Sequence, residues 1–298
     1  MRVAFVTMVW RDHWLLERWV RHNARMVPRD QLYVINHGQD PEVGRIAQGC
    51  NLIHAPRDAV AVDLTRRRWD LLGGLTGGLL GFYDRVICTD VDELLLYDGP
   101  ATSLIDHLAQ TSDAADALSP VGLNLIPTAQ DGDIRQMPVL RAHPHAVLSA
   151  KYTKPCIAAR PLRYTVGGHG LVRGRFEIDP AIALVHLHYV TPDYQARMDA
   201  RRQIVADAKA ENANAAVPVQ VPGRFWINWA RPDMIRDKEL EVFGRAARMD
   251  LEPGFGPAAE RLRAAVVQSG RKMVEDPKPL NSAPVRCLVP ERLRDLID

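Results

Sequence analysis

Apolar and polar positions along the first part of the chain separate into short β-branched runs and longer stripes of helical spacing. Val3 to Val9 reads as a buried strand, and Asp12 stands where an N-cap would open a helix from His13 to about Val27. Within that helix Leu15, Leu16, Trp19, Val20, Met26 and Val27 form one apolar stripe, interrupted by Asn23. Gln31 to Asn36 predicts a second strand, Asp40-Pro41 the cap and first turn of a short helix to Gln48, and Asn51 to His54 a third strand. A β-α-β-α-β order implies parallel strands, right-handed crossovers and ligands bound beyond the carboxyl ends of the strands.

The next helix, Asp63 to about Leu80, carries Arg66, Arg67 and Arg68 and then Gly73, Gly74, Gly77 and Gly78. Each glycine costs about 1 kcal/mol relative to alanine inside a helix, so the group predicts close packing. Neither Gly-rich phosphate-loop pattern is present. The apolar run Val86-Ile87-Cys88 then leads into Asp90, Asp92 and Glu93. Residues two apart on a strand share a face, so Asp90 and Asp92 are expected to project together where a strand leaves the core. Paired carboxylates repel unless a cation such as Mg²⁺ or Mn²⁺ lies between them; the bland alternative is a polar strand exit.

Further on, Ala101 to Gln110 predicts a helix, Asp116 to Ile126 a core strand, and Pro127 to His145 a long polar loop. Leu184 to Val190, bearing His186 and His188, lies near a strand end, and Pro192 to about Ala210 is a basic amphipathic helix. A linker-like stretch, 213–223, precedes the aromatic cluster Arg224 to Ala230 and two helices, about Asp233 to Met249 and Gly256 to Gly270. This division predicts an α/β domain over residues 1–211 with a helical appendage over 212–298.

Composition bounds the function. At 298 residues, 47% hydrophobic and 25% charged, the chain supports a sizeable core, and 38 basic against 36 acidic residues give a formal charge of +2, which argues against a nucleic-acid partner. Cys50, Cys88, Cys156 and Cys287 are scattered without a C-x-x-C, which argues against a zinc site or a disulfide framework and suits a reducing cytosol. No run reaches the ~18 to 20 apolar residues that span a bilayer, and the N-terminus has no signal-peptide pattern, so a cytoplasmic protein is expected.

The run Asp84-Arg85-Val86-Ile87-Cys88 followed by Asp90-Val91-Asp92-Glu93-Leu94 resembles the DxD segment of GT-A fold glycosyltransferases, in particular a bacterial family-2-like group with D-x-D-E-F/L; here Leu94 replaces the commoner Phe. The opening segment Val6 to Asp12, the spacing Glu17 to His22, the Lys151 to Pro161 stretch with Lys154, and the pair His188-Tyr189 follow the same family in the same order. The resemblance covers about residues 1–210. It implies a Rossmann-like, mostly parallel sheet flanked by helices, a nucleotide-sugar donor, a glycan or lipid-linked acceptor, and Mn²⁺ or Mg²⁺ as cofactor. It further implies metal ligands at Asp90, Asp92 and His188, and donor contacts from Thr7, Trp10, Arg67, Asp90 and Lys154, with Arg68 an alternative to Arg67.

For the third metal ligand, His188 is preferred over His186, which sits among Ala183, Leu184, Val185 and Leu187 and reads as a core histidine, and over His169. Asp131, Asp133 and Asp193 are equally placed as a catalytic base, and none is singled out. The competing readings are a binding module on the same fold without turnover, and a nucleotidyltransferase, whose N-terminal Gly-rich signature is missing.

Overall fold

β1 (Val3–Val9) pairs in parallel with β2 (Leu32–His37), and β2 with β3 (Asn51–Ala55), while α1 (His13–Asn23) and α2 (Pro41–Ile46) make the crossovers. This computed structural model describes residues 1–57, 64–112, 114–214 and 232–298. All seven residues of β1 are buried, as befits a parallel strand covered on both faces, and the fully buried Trp19 of α1 belongs to the same core. Asp40 caps α2 as its sequence suggests, accepting from Glu42 N at 3.0 Å. Asp12 makes no side-chain cap; its carboxylate instead pairs with Arg197 Nε at 2.7 Å.

After α3 (Leu64–Leu79) the chain returns as β4 (Arg85–Cys88) on the other side of β1, again in parallel. The strand order β4-β1-β2-β3 therefore reverses direction at β1, and the crevice beyond the carboxyl ends of β1 and β4 is the topological switch point where doubly wound sheets bind ligands.

The remaining elements are β5 (Glu93–Tyr97), α4 (Leu104–Gln110), β6 (Ala117–Leu125), α5 (Val139–Ala142), β7 (His145–Leu148), β8 (Ile157–Ala158), β9 (Arg163–Tyr164), β10 (Gly170–Arg173) and β11 (Phe176–His186). There follow α6 (Tyr194–Asn214), α7 (Pro232–Arg245), β12 (Ala247–Arg248), α8 (Gly256–Arg263), β13 (Val266–Ser269), β14 (Lys272–Glu275), α9 (Lys278–Ser282) and β15 (Val285–Leu288). β8 joins β4 to β6 by antiparallel pairing, and β11 lies between β6, in parallel, and β5, antiparallel. The result is a Rossmann-like α/β architecture, a large central sheet whose N-terminal strands are all parallel, flanked by helices.

Two expectations are corrected. The run from Val86 to Leu96 is not one strand leaving the core but two, β4 and β5, separated by a turn that contains Asp90, Val91 and Asp92. The C-terminal stretch is not a purely helical appendage either: β15 and β12 extend the central sheet beyond β7, and β13 and β14 form a second sheet with β10 and β9. Asp63, the aromatic cluster 224–230 and most of the linker-like stretch lie outside the described residues. No helix among the described residues is long and apolar enough to cross a membrane.

The helix glycines divide into two pairs. A Cβ on Gly73 would approach Leu162 O to 3.2 Å, and one on Gly77 would approach Pro161 Cβ to 3.3 Å, so these two let the β8–β9 segment pack closely. A Cβ on Gly74 or Gly78 would meet nothing within 4 Å, so the packing explanation fails there. Gly74→Ala and Gly78→Ala are each expected to stabilise the protein by about 0.4 to 1 kcal/mol, and Gly73→Ala to destabilise it, as read from urea unfolding midpoints.

Candidate functional site

The turn between β4 and β5 is pinned from several sides. Glu93 N donates to Asp90 O at 3.1 Å, and Asp90 N donates to Glu93 Oε2 at 3.0 Å, so Glu93 staples the loop on which both aspartates sit. Thr89 N continues the β1 ladder to Val6 O, Trp19 Nε1 donates to Thr89 Oγ1 at 3.1 Å, and Leu187 N donates to Asp92 O at 2.8 Å. Because this is a turn, the two-residue alternation of a strand does not apply, and Asp90 and Asp92 meet different partners.

Asp90 faces two cations. Arg68 bonds one carboxylate oxygen, and Lys154 Nζ donates to the other at 2.6 Å. Lys154 is itself buried and lies 2.6 Å from Glu93 Oε1, so one ammonium is shared between two carboxylates. Burial alone would raise Asp90, but Arg68 and Lys154 outweigh it and hold the carboxyl well below the usual range. Burial pushes Glu93 the other way, up, against the pull of Lys154. For Lys154, the loss of hydration is outweighed by Asp90 and Glu93, which keep it charged.

Asp92 faces two imidazoles. Its Oδ2 lies 3.5 Å from His186 Nε2 and 3.4 Å from His188 Nδ1, and one ligand atom from each of the three residues fits within 4.8 Å of the others. The protonation of this group can be traced outward. Asn124 Nδ2 donates to Glu239 Oε2 at 3.1 Å, and a carboxylate only accepts, so Asn124 Oδ1 faces His186 Nδ1 at 2.9 Å and must accept from it. Nδ1 thus carries a hydrogen, and Nε2 is the nitrogen turned toward Asp92, where the neutral ring offers a lone pair. Arg197 Nη2 lies 3.4 Å from His188 Nδ1, and a guanidinium only donates, so that nitrogen too offers a lone pair.

Three potential ligand atoms grouped within 4.8 Å of one another suit a divalent cation. Separations of 3.4 to 3.5 Å are those of neighbouring ligands about a small ion with metal–ligand bonds of roughly 2.1 Å. Two imidazoles with one carboxylate fit Mn²⁺ better than Mg²⁺, which prefers oxygen. The ring of Tyr152 stacks on His186 at 3.8 Å, and Arg197 also bonds Thr191 Oγ1 at 3.1 Å, so both imidazoles are held in place.

The geometry gathers the residues singled out from sequence unevenly. Asp92 and His188 come together; Asp90 lies beside them but is engaged by Arg68 and Lys154, and His186, read from sequence as a core histidine, stands in the cluster in its place. Of the helix arginines it is Arg68 that reaches the turn, whereas Arg67, one residue earlier and about 100° round the helix, is exposed. Thr7 is fully buried within β1, two residues before the strand ends, its Oγ1 without a hydrogen-bond partner among the described residues. Trp10 carries the Arg57 guanidinium 3.4 Å above its ring. His169 Nδ1 bonds Lys151 O at 2.8 Å, and the residue is not part of the three-residue cluster. Asp133 is taken up by Arg135, and Asp131 bonds His143 Nδ1 at 2.5 Å.

The crevice holds residues that the sequence did not bring forward. His37, at the end of β2, has Nδ1 3.4 Å from Arg57 and is pushed down to about 4 by burial and then by Arg57 and Arg68, so it is neutral at pH 7. Its signal was available: His37 precedes Gly38 and Gln39, both at positive φ, at the carboxyl end of a parallel strand. Asn124, Glu239 and Arg197 had none, since each acts through a partner far away in sequence. Arg57, Arg68 and Lys154 bring three cations to the crevice beside the three-residue cluster, the latter two shared with Asp90 and Glu93.

No family model and no curated protein matches the sequence. Among solved structures, the crystal structure of mannose-1-phosphate geranyltransferase from Thermus thermophilus is similar over 72% of this chain, at 14% identity and a TM-score of 0.29. This chain spans 66% of that one, and the likeness carries no inference about substrate or reaction.

Proposed function

We propose that this chain is a metal-dependent glycosyltransferase of the GT-A type, moving a sugar from a nucleotide-sugar donor to a hydroxyl acceptor, with Mn²⁺ preferred over Mg²⁺. The observation that carries this reading is the cluster of Asp92, His186 and His188 at the switch-point crevice, beside Arg57, Arg68 and Lys154. When bound, the metal would act as Lewis acid on the leaving diphosphate. Arg57 and Arg68 are placed to meet negative charge on the donor, and Trp10 with Arg57 offers a stacked surface for a flat base. Lys154 acts on the loop: it holds Asp90 and Glu93 together and so fixes the turn that presents Asp92. A glycan or lipid-linked acceptor is part of this reading, and none of Asp131, Asp133 and Asp193 is assigned as its base.

The test is release of nucleoside diphosphate from a panel of UDP- and GDP-sugars with Mn²⁺, followed by EDTA. Turnover that needs Mn²⁺ and stops with the chelator supports the proposal; no turnover with any donor overturns it in favour of a binding module. Ligand assignment is tested apart from turnover, by calorimetric Mn²⁺ titration. His186→Ala and His188→Ala should each weaken binding by at least about tenfold, and Asn124→Leu, which frees the His186 tautomer, by about 10- to 100-fold, while His169→Ala leaves it unchanged.

A further inference from the structure

A cavity of about 800 Å³ opens beside the C-terminal end of α7, in the range of about 300 to 1,000 Å³ typical of small-molecule sites. Its position follows from the register of the sheet. His186 on β11 pairs with Asn124 on β6, Asn124 with Val147 on β7, and Val147 with Arg286 on β15. Register partners share a face, and strands are spaced by about 4.8 Å, so Arg286 stands on the same face as His186, about 14 Å away. α7 crosses this row. Glu239 meets Asn124, and one turn later Phe243 packs its ring edge on His145 and beneath the Arg286 guanidinium. The cavity lies at that second end, bounded by Thr128, His145, Phe243, Arg248, Met249 and Arg286. Asn124 and Glu239 stand between it and the metal cluster.

The charges that line it are unequally satisfied. Glu252 is paired with Arg292 at 3.0 Å, and Asp250 accepts from Glu252 N at 2.9 Å but is in no ion pair among the described residues. Arg248 has no ion pair among the described residues, and Arg286 Nε is buried without a hydrogen-bond partner there, its Nη1 reaching only Phe243 O at 3.4 Å. Two guanidinium groups with spare donors thus face a space whose other walls include Phe243, Met249, Leu251 and Leu288. A guanidinium is best satisfied by a planar or tetrahedral oxyanion, and the apolar walls are best covered by a hydrocarbon or aromatic body.

We infer that this cavity is a second binding site, separate from the switch-point crevice, for a small amphipathic anion whose phosphate or carboxylate head lies on Arg248 and Arg286 and whose apolar body lies against Phe243 and Met249. The assignment does not depend on the glycosyltransferase reading.

Octyl phosphate is the probe, titrated calorimetrically into the full chain in the presence of EDTA, with octanoate, octyl glucoside and inorganic phosphate alongside. Saturable binding of octyl phosphate at one site per chain is expected, weakened about tenfold by Arg248→Ala and by Arg286→Gln. Octanoate binding with the same arginine dependence also supports the site and identifies the head as a carboxylate. Asp92→Asn should bind the probe as the parent does, and an altered affinity there, in EDTA a gain because one anion is removed, would place the probe in the metal crevice and overturn the inference. No saturable binding, affinity unmoved by both arginine variants, or octyl glucoside or inorganic phosphate binding as tightly as octyl phosphate would also overturn it. Arg248 is exposed on the short β12, so Arg248→Ala keeps the test open if Arg286→Gln fails to fold.

Discussion

Asp92→Asn is expected to abolish Mn²⁺ binding and to lower donor turnover about a thousandfold, the equivalent of roughly 4 kcal/mol of lost charge stabilisation, without unfolding the protein. The Asp92 carboxylate is the one anion in the cluster, and amide nitrogen in place of oxygen would face two imidazole lone pairs with no charge to attract a cation. The turn itself survives, because it is held through the Asp92 backbone carbonyl, which accepts from Leu187 N, while the side chain meets the two histidines. Asp90→Asn should behave differently. Its carboxylate balances Arg68 and Lys154, so the variant should lose stability while its Mn²⁺ affinity falls by no more than about tenfold. Calorimetric Mn²⁺ titration and urea unfolding of the two variants separate the roles. Equal loss of Mn²⁺ affinity in both would restore Asp90 as a ligand.

Lys154→Met should destabilise the fold by about 3 to 5 kcal/mol, the cost of leaving buried carboxylates without their counter-charge. Glu93 is 1% exposed and Asp90 keeps only Arg68 once the ammonium is gone. The pH dependence gives the effect its signature. Glu93 already titrates above its ordinary value, so its folded form takes up a proton more readily than its unfolded form, and that contribution is present at low pH and lost as pH rises through the folded value. Removing Lys154 raises Glu93 further. The deficit of the variant relative to the parent should therefore shrink as pH falls from about 7 to 5, because protonation relieves the unpaired charge. Asp90 works in the opposite sense: held low, it contributes stability above the ordinary carboxylate range and loses it as pH falls below. A deficit that stays constant across that interval would show that Lys154 matters through packing and not through charge.

The N-terminal half of the fold was legible because buried parallel strands are continuous apolar runs, and β1, β2 and β3 lie within one residue or so of their sequence expectation. The β4–β5 turn was not, since an apolar run on both sides of the aspartates looks like one strand, and only the pairing of β5 with β11 reveals two. That Arg68 and not Arg67 reaches Asp90 follows from helix phase. Trp69, Leu72, Gly73 and Thr76 mark the buried face, and Arg68 stands four residues before Leu72, so the answer lay in the pattern. His186 was hidden by its apolar neighbours on β11, and the Asn124 amide that orients its ring toward Asp92 arrives from another strand, oriented in turn by a helix still further along the chain. The strands after residue 246 were lost among polar residues because each has four residues or fewer, too short for alternation to show.

The placement of β11 between β5 and β6 bears on the order in which the protein becomes competent. Asp92 is fixed through Leu187, and the two histidines ride on the end of β11 and the turn after it, so no fragment of the chain that stops short of His188 can assemble the cluster. Contacts of such long sequence separation form late, after the local β-α-β units have closed. During refolding, the burial of Trp19 in the first unit should run ahead of Mn²⁺ capture, with the insertion of β11 as the slow step that joins them.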